Sequence, residues 1–141
     1  MAMADEADRA LVALSLHHAY AAIESLLSRA IRFFDVSEPS GPDSHWALLA
    51  RAGLAIPEVR PAILSPASMR PARELMKFRY FLGHDYGADL DGPALAGLQA
   101  VARELSASLA ADLDTFDEWI EQVARGWRVW RAAAAPHAGT A

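Results

Sequence analysis

Apolar residues recur at intervals of three and four through almost the whole chain, a rhythm that admits helices and little else. The longest run is Leu95, Leu98, Val101, Leu105, Leu109, Leu113, Phe116, Ile120 and Val123. These positions stay on one side of a helix because 3.6 residues complete a turn. Asp91-Gly92-Pro93 supplies the start, with aspartate as N-cap and proline near the first helical position, and the spacing predicts a helix from there to about Trp130. Leu16, Tyr20, Ile23, Leu27, Ile31 and Phe34 predict another, from about Asp8 to Phe34. A loop over 36–43, with Pro39, Gly41 and Pro42, leads to a short helix over 44–51, capped by Asp43 or Ser44 and stopped by Gly53. Residues 54–67 contain Pro57, Pro61 and Pro66 and read as irregular. A third helix is expected with Ser68 as N-cap and Pro71 in its first turn, fraying near Gly83 or stopping at Gly87. Nothing reads as a strand. The expected architecture is all-α: a single-domain antiparallel bundle of four to five helices over 1–131, then a disordered, low-complexity tail over 132–141.

A chain of 141 residues, 53% apolar, has the material for one domain with its own core. It has no cysteine, which excludes disulfides and thiolate metal sites. No uninterrupted apolar run approaches the ~20 residues that cross a bilayer. The start, Met1-Ala-Met-Ala-Asp5-Glu6, is acidic and lacks the basic segment of a secretory signal. A soluble, cytoplasmic protein without membrane attachment is expected. The net charge of -5 argues against nucleic-acid binding by the surface at large, so any such binding needs a local basic patch. Arg60, Arg70, Arg73, Lys77 and Arg79 offer one, opposed only by Glu58 and Glu74. Within it, Arg70, Arg73 and Lys77 follow i, i+3, i+7 spacing and line one helix face. A plain solvated face is the alternative.

The densest chemistry lies in Arg79-Tyr-Phe-Leu-Gly-His84-Asp-Tyr86. It joins a fixed cation, a group that titrates near neutrality and a phenol at the end of the third helix. On an ideal helix Arg79 and His84 fall roughly 140° apart, while Arg79 and Tyr86 share a face and His84 aligns with the basic stripe. Three resolutions are open: the helix deforms near Gly83, Arg79 reaches round, or the productive pair forms between protomers.

This phrase, Phe78-Arg79-x4-His84-x-Tyr86 running on into Gly87-Ala-Asp-Leu90, resembles the signature of the HepT-like branch of the HEPN ribonuclease toxins. Tyr20-Ala-Ala-Ile-Glu24, Trp46-Ala-Leu-Leu49 and Arg60-Pro-Ala-Ile are similar to HepT-like sequences in the same order. The resemblance implies a metal-independent endoribonuclease toxin, without a cofactor, acting as a homodimer whose two motif helices meet in one cleft. Arg79 and His84 would be catalytic. In such chemistry the RNA 2′-hydroxyl is its own nucleophile, His84 serves as base or acid, and Arg79 stabilises charge on the phosphoryl oxygens. The partner implied is a nucleotidyltransferase antitoxin that attaches AMP to Tyr86, placing charge and bulk where an RNA phosphate must sit. Arg70, Arg73 and Lys77 would bind RNA. Many family members carry a polar residue, often asparagine, aspartate or histidine, directly after the arginine; here it is Tyr80, a phenol that can still hydrogen-bond. The alternative is a non-catalytic, dimeric HEPN-type interaction module that binds a nucleotidyltransferase partner or a nucleotide.

Other candidates carry less. His17, His18 and Glu24 form either a polar lining or a surface stripe on the first helix. His45 stands alone, and no cluster has metal-ligand spacing. Asp112, Asp114, Asp117, Glu118 and Glu121 read as an exposed acidic face, open to a basic partner. Trp127 and Trp130 with Arg125, Arg128 and Arg131 make a basic-aromatic end.

Overall fold

A computed structural model describes residues 5–84 and 91–135, and for residues 83 and 84 the backbone alone. Four helices appear in order: α1 (Glu6–Phe34), α2 (Ser44–Ala52), α3 (Pro66–His84) and α4 (Gly92–Ala134). Among the described residues no strand forms beyond an isolated bridge between Ile56 and Arg60. The all-α bundle expected from periodicity is the fold.

The helix starts follow local chemistry. Asp5 accepts the Asp8 N–H at 2.8 Å and caps α1, and Asp91 accepts the Ala94 N–H at 2.7 Å and caps α4. Asp43 takes the N-cap position of α2 but makes no side-chain capping bond. The start of α3 differs from expectation. It begins at Pro66, and Ser65 is the residue at its threshold: its carbonyl accepts from Ser68 and Met69, and its own N–H donates to the Asp112 carboxylate of α4 at 2.9 Å. Ser68 is therefore not a cap. It is fully buried and donates to the Ser108 hydroxyl at 2.8 Å, a polar clasp where α3 crosses α4. Pro71 lies in the second turn of α3 and is also buried. Having no N–H, it cannot donate to the Ala67 carbonyl one turn earlier.

Direction follows from paired residues. Ser65 meets Asp112 and Arg70 meets Glu104, so α3 and α4 run antiparallel. Asp35 meets Arg60 just before α3, and Glu24 meets Arg79 near its end, so α1 and α3 are antiparallel as well. The short helix α2 is the exception, running with α1. The loop over 36–43 doubles back along α1, where Glu38 is held by Arg32 at 2.9 Å and by the Ser28 hydroxyl. It delivers His45 to the level of Glu24.

The core contains Leu16, Tyr20, Leu27 and Ile31 of α1, Leu48, Leu49 and Ala52 of α2, Ile63 and Leu64 of the connection, Ala72, Leu75, Met76 and Phe78 of α3, and Leu95, Leu105 and Phe116 of α4. By length and composition α1 could cross a membrane, at a mean hydropathy of 1.3, a property not apparent from uninterrupted apolar runs. Its buried residues are nevertheless those that fill the bundle. α4 outruns its neighbours: at about 1.5 Å per residue it is ~65 Å long against ~43 Å for α1. Ile120 and Val123, part of the expected core stripe, are therefore exposed, as are Trp127 and Trp130. The helix also continues past Trp130 to Ala134, taking in the first residues of the expected tail. Residues 136–141 lie outside those described.

Arg60, grouped with the basic patch from sequence, is buried and structural. Its side chain has no exposed surface. It donates to both Asp35 carboxylate oxygens, at 2.6 and 2.9 Å, and to the carbonyls of Leu54, Pro61 and Arg51 at 2.9, 3.1 and 3.2 Å. A guanidinium has five N–H donors, and these five contacts match them. Removing one partner of such a pair leaves a buried charge uncompensated, so Asp35→Ala is expected to cost about 3–5 kcal/mol, read from the urea midpoint of unfolding. The residue after it, Val36, sits at φ 69 with its side chain 89% exposed. A β-branched residue is strained there and loses no packing on truncation, so Val36→Gly should raise stability by roughly 0.5–1 kcal/mol in the same assay.

Candidate functional site

Arg79 emerges from α3 about one and a half turns before its end and turns toward α1. Its Nη1 donates to Glu24 Oε2 at 2.6 Å, and its guanidinium carbon lies 5.9 Å from the centre of the Tyr20 ring. The side chain is 29% exposed, so the cation is held from below yet reachable from solvent. Glu24 has a second partner: its Oε1 meets His45 Nδ1 at 2.8 Å. Only 16% of the Glu24 side chain is exposed. A carboxylate this enclosed needs charged or hydrogen-bonding partners, and Arg79 and His45 supply one to each oxygen.

Helical spacing accounts for the arrangement. Tyr20 and Glu24 are four residues apart on α1, so they stack one turn above the other. Tyr20 is the buried floor and Glu24 the polar rim. Burial, then the neighbouring Glu24 charge, push the Tyr20 phenol well above its ordinary value, against the pull of Arg79. Tyr20 therefore remains a neutral phenol under Arg79. Beside the rim lies a cleft of about 280 Å³, lined by Glu24, Ser25, Ser28, Glu38, Ser44 and His45 among others.

The backbone of α3 stays helical through His84, so no break at Gly83 brings His84 round toward Arg79. The His84 side chain, and the whole of Tyr86, lie outside the described residues. The basic stripe is not gathered round Arg79. Arg70 pairs with Glu74 at 2.7 Å and with Glu104 of α4 at 2.5 Å. Arg70 and Arg73 line a shallow groove beside Gly53 and Leu54 at the end of α2. Arg73 and Lys77 are exposed and have no ion-pair partner among the described residues.

The remaining candidates separate. His17 does not join Glu24 in a shared lining: its Nδ1 is buried with no partner among the described residues, and its ring lies 5.8 Å from His18. Asp112, grouped with the acidic face, caps α3. Among the described residues no cluster of His, Asp or Glu could hold a metal ion. His45, isolated in sequence, is the residue that the linear reading passed over. No spacing rule could have joined it to Glu24 and Arg79, because the three come from three helices.

A family model described as a HepT-like protein matches residues 11–120. The chain belongs to the HepT-like family. No curated protein and no solved structure matches it. The matched span takes in α1, α2, α3 and most of α4, so this HepT-like protein carries the HEPN-type helical bundle whole, with Glu24, His45 and Arg79 inside the match. Because the Tyr20 phenol of the folded protein holds its proton above the ordinary value near 10, the unfolded chain loses that proton first as pH rises. Stability should then fall above about pH 10 by up to ~1.4 kcal/mol per pH unit from this group. Tyr20→Phe should remove that component, as followed by urea unfolding at pH 9, 10 and 11.

Proposed function

We propose that this HepT-like protein is a metal-independent endoribonuclease toxin, acting as a homodimer in the cytoplasm. The observation that carries the reading is Arg79: a motif guanidinium braced by Glu24 and the Tyr20 ring while still reachable from solvent. Membership of a family tied to toxin–antitoxin systems supports it. Arg79 would bind the scissile phosphate and stabilise the charge that builds on its oxygens, and His84 would transfer a proton. The products would carry a 2′,3′-cyclic phosphate and a 5′-hydroxyl, and DNA, which lacks the 2′-hydroxyl, would be spared. Arg73 and Lys77, with Arg70, would guide the RNA backbone. A nucleotidyltransferase partner would silence the toxin by attaching AMP to Tyr86.

One observation favours a second reading, a non-catalytic dimeric module that binds the nucleotidyltransferase or a nucleotide. Glu24 already neutralises Arg79, and an anionic substrate must compete with it. The two readings separate in one assay: cleavage of single-stranded RNA by the unmodified protein in excess EDTA, alongside Arg79→Ala and His84→Ala. The ribonuclease predicts cyclic-phosphate ends and at least a hundredfold loss in each variant. A folded, dimeric, unmodified wild type that leaves RNA intact identifies the binding module. Cleavage that persists in both variants refutes the motif as the active site.

A further inference from the structure

Cleavage through the 2′-hydroxyl needs two proton transfers: one group takes the proton from O2′ as the O2′–phosphorus bond forms, and another gives a proton to O5′ as the phosphorus–O5′ bond breaks. The motif supplies one imidazole per protomer, at His84, and the proposed homodimer would bring two of them to one cleft. The fold brings up a further imidazole within each protomer, which the motif does not contain. His45 and Arg79 are bound by the two oxygens of the same carboxylate, so they stand no farther apart than one carboxylate and two hydrogen bonds. An ionised Glu24 only accepts, so His45 Nδ1 carries its proton and Nε2 is the nitrogen left for exchange. The His45 side chain is 40% exposed at the lip of the cleft lined by Glu24, Ser44 and Glu38. A carboxylate behind Nδ1, an exchanging Nε2 and a phosphate-binding cation alongside form the arrangement in which a carboxylate orients a catalytic imidazole and stabilises the imidazolium it becomes.

We propose that His45 is the general base of this site, oriented by Glu24 to take the 2′-hydroxyl proton of an RNA strand whose phosphate is held by Arg79. His84 would then protonate the departing O5′. The assignment rests on the ribonuclease reading and extends it to a residue on α2. The fold supports it in a second way. α2 runs with α1 only because the loop over 36–43 doubles back and is fastened through Glu38 to Arg32 and Ser28, and that reversal sets His45 opposite Glu24. The charged groups around the imidazole are Glu24 from α1, Arg79 from α3 through Glu24, Glu38 across the cleft and Asp43 at the start of its own helix.

The test is the kcat/KM pH profile of wild type and His45→Asn on one RNA oligonucleotide, in EDTA. Asparagine keeps a donor toward Glu24 and removes the titrating nitrogen, so Arg79 keeps its brace. The expected result is a loss of about a hundredfold or more, with the rise along the acidic limb abolished and the helical content and dimer unchanged. His45→Gln, which leaves the amide nearer the Nε2 position, serves if the asparagine variant does not fold, and the same loss is expected. Activity within threefold of wild type, with the acidic limb intact, overturns the role of His45 and leaves the ribonuclease standing. A folded wild-type dimer that cleaves nothing overturns the ribonuclease reading, and His45 as its base falls with it.

Discussion

The Arg60–Asp35 pair is the joint on which the rest of the bundle hangs. Asp35 closes α1, the carbonyls of Arg51 and Leu54 close α2, and Pro61 leads toward α3, and one guanidinium binds all four. A buried charge pays a large desolvation cost unless every donor is met, and this side chain meets its five. The consequence is geometric. With the end of α1, the end of α2 and the approach to α3 fixed at one point, α3 has to return along α1 from that end. Its later turns then pass Glu24. The proline-rich connection between α2 and α3 looks like a loose linker in sequence, but its carbonyls point inward to this arginine.

The second consequence is electrostatic. Glu24 is the meeting point of three helices, binding His45 of α2 and Arg79 of α3 from α1. Tyr20 one turn below lends an aromatic face to Arg79 and stays neutral because it is buried. The same carboxylate that orients Arg79 also competes for it, so an anionic ligand must gain more from the cation than Glu24 already provides. At the far end, α4 continues past the last turn of α1 and leaves Phe33, Val123, Trp127 and Trp130 exposed. Arg131 lies over the Trp127 ring, at 5.2 Å.

Much of the fold was legible because local rules dominate it. Asp91 and Pro93 open α4 as their chemistry requires, and Leu16, Tyr20, Leu27 and Ile31 turn inward as their spacing requires. The misreadings share one cause. Ser68 has the chemistry of a cap, but the opposing Ser108 gave it a partner in the core, and Asp112 took over the start of α3 from another helix. Arg60 has the chemistry of a surface cation, but Asp35 lies 25 positions earlier and buries it. Ile120 and Val123 have the spacing of a core stripe, but beside them only Phe33 and Phe34 of the last turn of α1 remain among the described residues, and both positions stay exposed.

The sequence by itself determined the helices and their apolar faces, because periodicity and capping act within a few residues. Tertiary structure alone decided that α2 runs with α1, that Arg60 is a buried joint, and that Glu24 holds His45 and Arg79 together. Those depend on charges meeting across 21, 25 and 55 positions of chain. No local rule relates residues so far apart; only the packing of helices that individually could have met in other orders brings them into contact.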